Sequence, residues 1–370
     1  MKLKVYMDIK NEELIKDWAL ISNYIRFPQS SYVWMNNWWQ CFKNNNRELY
    51  IICVYNDLGN IVGLSPMYIE RKIIIKQLKF IGAGLTDFGE VIIDKNADKL
   101  NVYNHILTHI KSFKIWDICL LEQINNTSLD YDVLDSLKLT KNKTVDCLQI
   151  NFKSIEWESY IKNIDKNHRK IVNKKLRKLE RELGFEVHTF FSELIPNSVI
   201  NELIEIHIKR SVYRKQKSRF NEKNGNKFYK KIIHDSVKLG LAKLFTITVG
   251  SNIVAYSYGF IHNKVFYNWN SSFDIDYYNY SLGNLMDAIV MKDTLLTGVK
   301  RYNFMRGSYD YKKRWIRLDQ FSNKESIQHN YIFIVSNNNL AGRLAHLYYF
   351  KMRDILKKYY YMYVNLNLFK

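Results

Sequence analysis

The run Arg306-Gly307-Ser308-Tyr309-Asp310-Tyr311-Lys312-Lys313-Arg314-Trp315 alternates cations with aromatic rings. Guanidinium and ammonium groups bind phosphate oxygens, and Tyr or Trp faces stack a base or sugar. Arg306, Tyr309, Tyr311, Arg314 and Trp315 are therefore substrate-binding candidates; the alternative is a solvated basic loop anchored by its Trp. A second run, Tyr280-Ser281-Leu282-Gly283-Asn284-Leu285, reads as the opening of a helix, with Ser281 as N-cap and Gly283 leaving the first turn bare. Amides at such a start, aided by the helix dipole, hold a phosphate; the alternative is an ordinary capped helix. A third, Lys166-Asn167-His168-Arg169-Lys170, starts a cation-rich helix. His168 and Arg169 are its functional candidates, and the later cations form a solvated face. A fourth, Gly82-Ala83-Gly84-Leu85-Thr86-Asp87-Phe88, is a tight loop that presents Asp87 and Phe88. Asp87 can orient or deprotonate an attacking amine, bond a sugar hydroxyl, or cap its own turn.

Other chemistries lack their residues. There is no GxSxG motif, so a covalent acyl-enzyme has no nucleophile to form on. His105 and His109 stand four apart on a helix without a third ligand nearby, and no metal is expected. Cys41, Cys53, Cys119 and Cys147 show no CxxC spacing, and the last three sit in apolar, strand-like runs. They read as buried reduced thiols of a cytoplasmic protein.

The elements that must carry these residues follow from periodicity and turn chemistry. In the first half, 31–42 is a helix with Trp34, Trp38 and Phe42 on one face. Strands are expected at 49–55, 61–70, 73–81, 116–121 and 147–152, with a helix at 100–113. In the second half, helices fall at 155–164, 166–183, 199–213 and 226–239, with a strand at 185–190. Strands at 242–249, 253–261 and 264–271 form a meander joined by Gly250-Ser251-Asn252 and His262-Asn263. A helix at 281–296 and a strand at 301–305 complete it. The expected domains are 1–152, 153–335 and a helical tail, 336–370.

Composition sets outer bounds. Only three prolines and fourteen glycines occur, so no long flexible linker divides the chain. A net charge of +20 favours anionic partners, although an AT-rich coding sequence would also raise Lys. No apolar leader and no eighteen-residue apolar run appear, so a cytoplasmic protein without a transmembrane segment is expected. The aromatic stretch 359–369, with Lys351, Arg353, Lys357 and Lys358, suits a packed helix or peripheral contact with a membrane surface. A non-catalytic nucleic-acid-binding protein is the competing class. It lacks a helix-turn-helix, zinc or RNP-like motif, and nucleic acid is not expected as a partner.

The motifs at 165–170, 280–285 and 306–315, with Gly63-Leu64-Ser65-Pro66-Met67 and the 78–88 loop, resemble the cellulose-biosynthesis-type GNAT acetyltransferases over roughly residues 25–320. That family is akin to the FemAB peptidyltransferases. The resemblance implies an α/β (α+β) fold of two tandem GNAT-like domains, each a mixed, mainly antiparallel sheet flanked by helices. A meander followed by one helix and one strand is how such a core is ordered. It implies acyl-CoA, or else aminoacyl-tRNA, as donor, and no permanently bound cofactor. Lys312 falls where Fem-like enzymes keep a functional lysine. Relatives in O-antigen, lipopolysaccharide or capsule synthesis acylate the amine of dTDP- or UDP-linked amino sugars, including dTDP-3-amino-3,6-dideoxyhexoses. On this reading a neutral amine attacks the thioester directly in a ternary complex. Trp269, Asn270, Ser271, Ser281, Leu282, Gly283 and Asn284 bind the donor, and a backbone N–H at 269–271 polarises its carbonyl. Asp87 or His168 takes the proton.

Overall fold

The computed structural model describes residues 1–112, 115–152, 155–317 and 326–352. Two compact units form: one from Met1–Met35, Lys43–Thr144 and the chain from His329 on, the other from Asn36–Phe42 and Val145–Gln328. The sequence sets its boundaries at 152/153 and 335/336. Residues 153–154 and most of the expected tail, including Arg353, Lys357, Lys358 and 359–369, lie outside the described residues.

In the first unit, Lys2–Tyr6, Ile51–Tyr55, Ile61–Ser65 and Ile92–Ile93 pair antiparallel in that order. Arg47–Leu49, Met67–Lys72 and Ile75–Phe80 pair antiparallel, Ile75–Phe80 then runs parallel to Ile118–Asn125, and Ile327–Ser336 pairs antiparallel with Ile118–Asn125. The segments 49–55 and 61–70 are each two strands rather than one, broken at Tyr50 and Pro66. Pro66 has no N–H with which to continue a ladder. Tyr50 N–H donates to Met67 C=O at 2.9 Å, and the chain changes sheets at this point. The Lys99–Ser112 helix buries Val102, Ile106 and Ile110 against Leu78, Cys119 and Phe333. Lys2–Tyr6, Glu12–Ile21, Leu129–Ser136 and Ile327–Ser336 are elements the sequence reading did not anticipate.

The second unit holds the expected meander. Glu186–Phe190, Ala242–Val249, Asn252–His262 and Val265–Phe273 are antiparallel neighbours. Arg301–Arg306 then lies parallel to Val265–Phe273 and antiparallel to Thr140–Asn151. The Leu282–Leu296 helix presents Leu282, Leu285, Met286, Val290 and Met291 to a core shared with Phe266, Tyr302, Phe304 and Trp315. Burying each such side chain is worth about 1.5–3 kcal/mol, which holds this helix firmly on the strands.

Two irregularities shape the unit. Only Val265, Phe266 and Tyr267 pair with Arg301, Tyr302 and Asn303; beyond that point the ladder ends and the strands part. On the other edge of Val265–Phe273, Tyr258 pairs with Asn270 and Gly259 with Asn268, which leaves Trp269 as a bulged residue. The bulge falls at the place where the neighbouring strand has also been lost.

Candidate active site

A cleft of about 510 Å³ opens where the two strands part. Ser271 and Phe273 line it from one strand, Tyr309 and Tyr311 from the segment after the other. Ser281, Gly283, Asn284 and Asp287 line it from the Leu282–Leu296 helix, and Lys175, Arg210 and Arg214 bring cations from two further helices. Ser281 stands at the N-cap position, but its side chain caps nothing. Its backbone is instead left-handed, φ 54° and ψ 42°. Asn284 N–H turns back to Ser281 C=O at 3.0 Å. Among the described residues, the Leu282 and Gly283 N–H groups have no hydrogen-bond acceptor. Two open amides at the positive end of a helix, with three cations around the cleft, fit an anion such as a diphosphate. A Cβ at Gly283 would touch only the Phe273 ring, at 3.5 Å, so this first turn is uncrowded.

Two buried charged side chains belong to the same unit, and one of them, Asp287, lines the cleft. Lys312 is only 5% exposed, and its ammonium donates to Phe304 C=O and Arg306 C=O, both at 2.8 Å. These bonds clamp a backbone bend in which Met305 has φ 59° and Gly307 φ 95°. Asp287 is 4% exposed. Asn268 Nδ2 donates to its Oδ1 at 3.5 Å and to Tyr302 Oη at 2.7 Å. Burial raises the Asp287 carboxyl to about 7. Lys312, Arg210 and the Trp315 indole N–H favour its charged form, the last from beyond hydrogen-bond distance.

The structure gathers some of the sequence candidates and separates others. Ser271, Ser281, Gly283, Asn284, Tyr309 and Tyr311 line the cleft, with the Tyr309 and Tyr311 rings stacked at 6.2 Å and 12°. Leu282 faces the core, so only its backbone is available. Trp269 stacks on Tyr229 at 5.0 Å within a ring cluster that includes Tyr258 and Phe260. Its side chain packs within that cluster, and its backbone forms the bulge. Asn270 Oδ1 accepts from Tyr256 Oη at 2.6 Å. His168 is 1% exposed and meets Trp315 edge-on at 4.5 Å, off the cleft wall. Burial, with Arg314 nearby, lowers its pKa to about 4, which makes it a neutral core histidine. Trp315 is fully buried. Arg169 caps carbonyls of Ile161 and Lys162. Arg306 gives its carbonyl to Lys312, and Arg314 is exposed. Asp87 and Phe88 belong to the first unit. Asp87 N–H donates to Gln29 and its C=O accepts from Asn330, while Phe88 stacks on Phe27 at 4.6 Å. No three His, Cys, Asp or Glu side chains converge as a metal site among the described residues.

Residues 166–313 match the acetyltransferase (GNAT) domain. That segment contains the parted strands, the open helix start and Lys312. The chain is an acyltransferase. In fold it is similar to FemX, with a TM-score of 0.60 and 10% identity, covering 85% of this chain and 94% of that one. It is also similar to L-PGS from Bacillus licheniformis, at 0.57 and 10%, covering 93% and 97%. A conserved protein of unknown function from Bacteroides thetaiotaomicron gives 0.55 and 12%, covering 90% and 100%. No curated protein matches the sequence. Arg210, Arg214 and Asp287 of this acyltransferase's cleft escape sequence reasoning. The one local signal for Asp287 is an acid set among Leu285, Met286, Val290 and Met291 on a helix face that is otherwise apolar.

Proposed function

We propose that this acyltransferase moves an acyl group from acyl-CoA to the amine of a nucleotide-linked amino sugar, such as a dTDP-3-amino-3,6-dideoxyhexose, in surface-polysaccharide synthesis. One observation carries the donor half of this reading: the cleft between the parted strands, lined by a helix start with open amides and by cations. The donor diphosphate rests on the Leu282 and Gly283 amides, beside Lys175 and Arg214. Its pantetheine arm lies along the free edge of Val265–Phe273, replacing the lost strand partner. The thioester oxygen takes a hydrogen bond from backbone N–H near the Trp269 bulge, where negative charge grows during attack. Holding both substrates together turns a bimolecular step into a nearly unimolecular one. The acceptor half is supported by the stacked Tyr309 and Tyr311 rings, suited to a base or sugar face, and by Arg306 and Arg314 near them in sequence.

Thiol release measured over a panel of acyl-CoAs and amino-sugar nucleotides tests the assignment. Release that depends on a sugar amine is expected, and its absence with every pair rejects the reading. The fold likeness to FemX and L-PGS supports a second reading, aminoacyl transfer from charged tRNA. That enzyme turns over nothing when acyl-CoA is the only donor supplied.

A further inference from the structure

We propose that the Asp287 carboxylate, which lines the cleft, is the base that takes the amine's proton. The inference rests on the reading that acyl-CoA occupies that cleft. Asp287 lies one helical turn beyond Gly283 and lines the same cavity, so a donor anchored at the helix start extends toward it. Asn268, the first residue past the last pair of the parted strands, reaches it at 3.5 Å. The carboxyl therefore stands where the strands separate, next to the bulged backbone.

Its surroundings suit proton traffic. Arg210 from the Asn197–Tyr213 helix and Lys312 from the Asp310–Lys313 turn stabilise the carboxylate without removing it from the cleft. Tyr160, Tyr302 and Tyr311 face it as neutral phenols, and Trp315 and Asn268 contribute N–H groups. Burial holds the carboxyl near 7, so at neutral pH it both accepts and returns a proton.

The acceptor ammonium gives its first proton to water and enters as a neutral amine. As nitrogen forms its bond to the thioester carbon, Asp287 takes a second proton from it. The C–S bond then breaks with its electron pair on sulfur, and Asp287 passes that proton to the thiolate. Amide, CoA thiol and the regenerated carboxylate remain, with one proton released to solvent.

Two measurements on the full chain test this: pH–rate profiles with acetyl-CoA and a dTDP-3-amino-3,6-dideoxyhexose, and calorimetry of coenzyme A binding. Wild-type kcat is expected to rise with pH through a midpoint near 7. D287N, which keeps the side chain's shape, is expected to lose on the order of 100-fold or more in kcat. It should also lose the rise near 7, while its affinity for coenzyme A stays within about threefold. Should D287N not fold, D287E serves instead, keeping the rise at reduced kcat. If the amino sugar is not a substrate, the same profiles are read on acetyl-CoA hydrolysis, where water supplies the proton. Full activity in D287N, an unaltered pH profile, or a rate loss explained by lost coenzyme A binding overturns the inference. Failure of the wild type to bind coenzyme A overturns the cleft reading itself, and this inference with it.

Discussion

At the scale of single residues, the site depends on polar groups removed from water. Lys312 is a buried cation whose ammonium donates to two backbone carbonyls. Replacing it with Met keeps the stem and deletes the charge, leaving both carbonyls without their donor. K312M is expected to lose about 1–3 kcal/mol of stability by denaturant titration. Lys312 also favours the charged form of Asp287, so its removal should push the rise in the kcat profile to higher pH. His168 gives the opposite kind of test. Its pKa is lowered in the folded protein, so the unfolded chain binds the extra proton first as pH falls. The buried neutral imidazole therefore leaves stability intact above about pH 6.5 and costs it progressively toward about 4. Its ring nitrogens make no hydrogen bonds, so a Phe there sacrifices none. H168F is expected to melt near the wild-type temperature at pH 8 and above it at pH 5.

At the scale of elements, turns decide where the cleft's walls stand. Gly307 has φ 95°, and a Cβ there would lie 2.6 Å from the Tyr309 ring. G307A should therefore strain the bend by about 1–3 kcal/mol and drive Tyr309 off the wall. The expected result is a raised KM for the acceptor with little change in coenzyme A affinity, read by steady-state kinetics and calorimetry. The meander was legible in the sequence because its turns state their own geometry. Gly250, Asn263 and Lys264 all have positive φ, and the first two are residue types suited to it. The helix start at Leu282 was legible through Gly283 and the polar residues before it, though the left-handed Ser281 was not. What stayed hidden depends on long-range placement. Nothing local says that the Val265–Phe273 strand loses its partner after Tyr267, or that Asp287 turns toward that gap. The breaks at Tyr50 and Pro66 were half visible, since Pro66 cannot donate, yet hydrophobic periodicity runs straight through both.

At the scale of the whole molecule, the +20 charge is unevenly used. Lys175, Arg210 and Arg214 meet at the cleft, whereas Lys166, Lys170, Lys174, Arg177 and Arg181 are exposed along the Lys166–Glu182 helix. Exposed cations act on an anionic donor through a field that salt screens over about 8–10 Å. KM for acyl-CoA is accordingly expected to rise several-fold between roughly 0.05 and 0.5 M salt. In R214A it should start higher and change less; a salt-independent KM in the wild type would remove the cleft cations from donor capture. Among the described residues no helix is long and apolar enough to cross a membrane.

The Tyr32–Phe42 helix has a consequence for anyone who would excise the catalytic half. Its Asn36–Phe42 end is counted with Val145–Gln328, where Asn37 bonds Asp235 at 2.9 Å and Phe42 meets Phe228 at 5.8 Å. A truncated gene starting at Val145 would encode the entire cleft and still omit this plug, leaving Phe228 wet and Asp235 short of a donor. The catalytic body is thus not a contiguous cassette, and a graft into a foreign scaffold has to carry both pieces of chain.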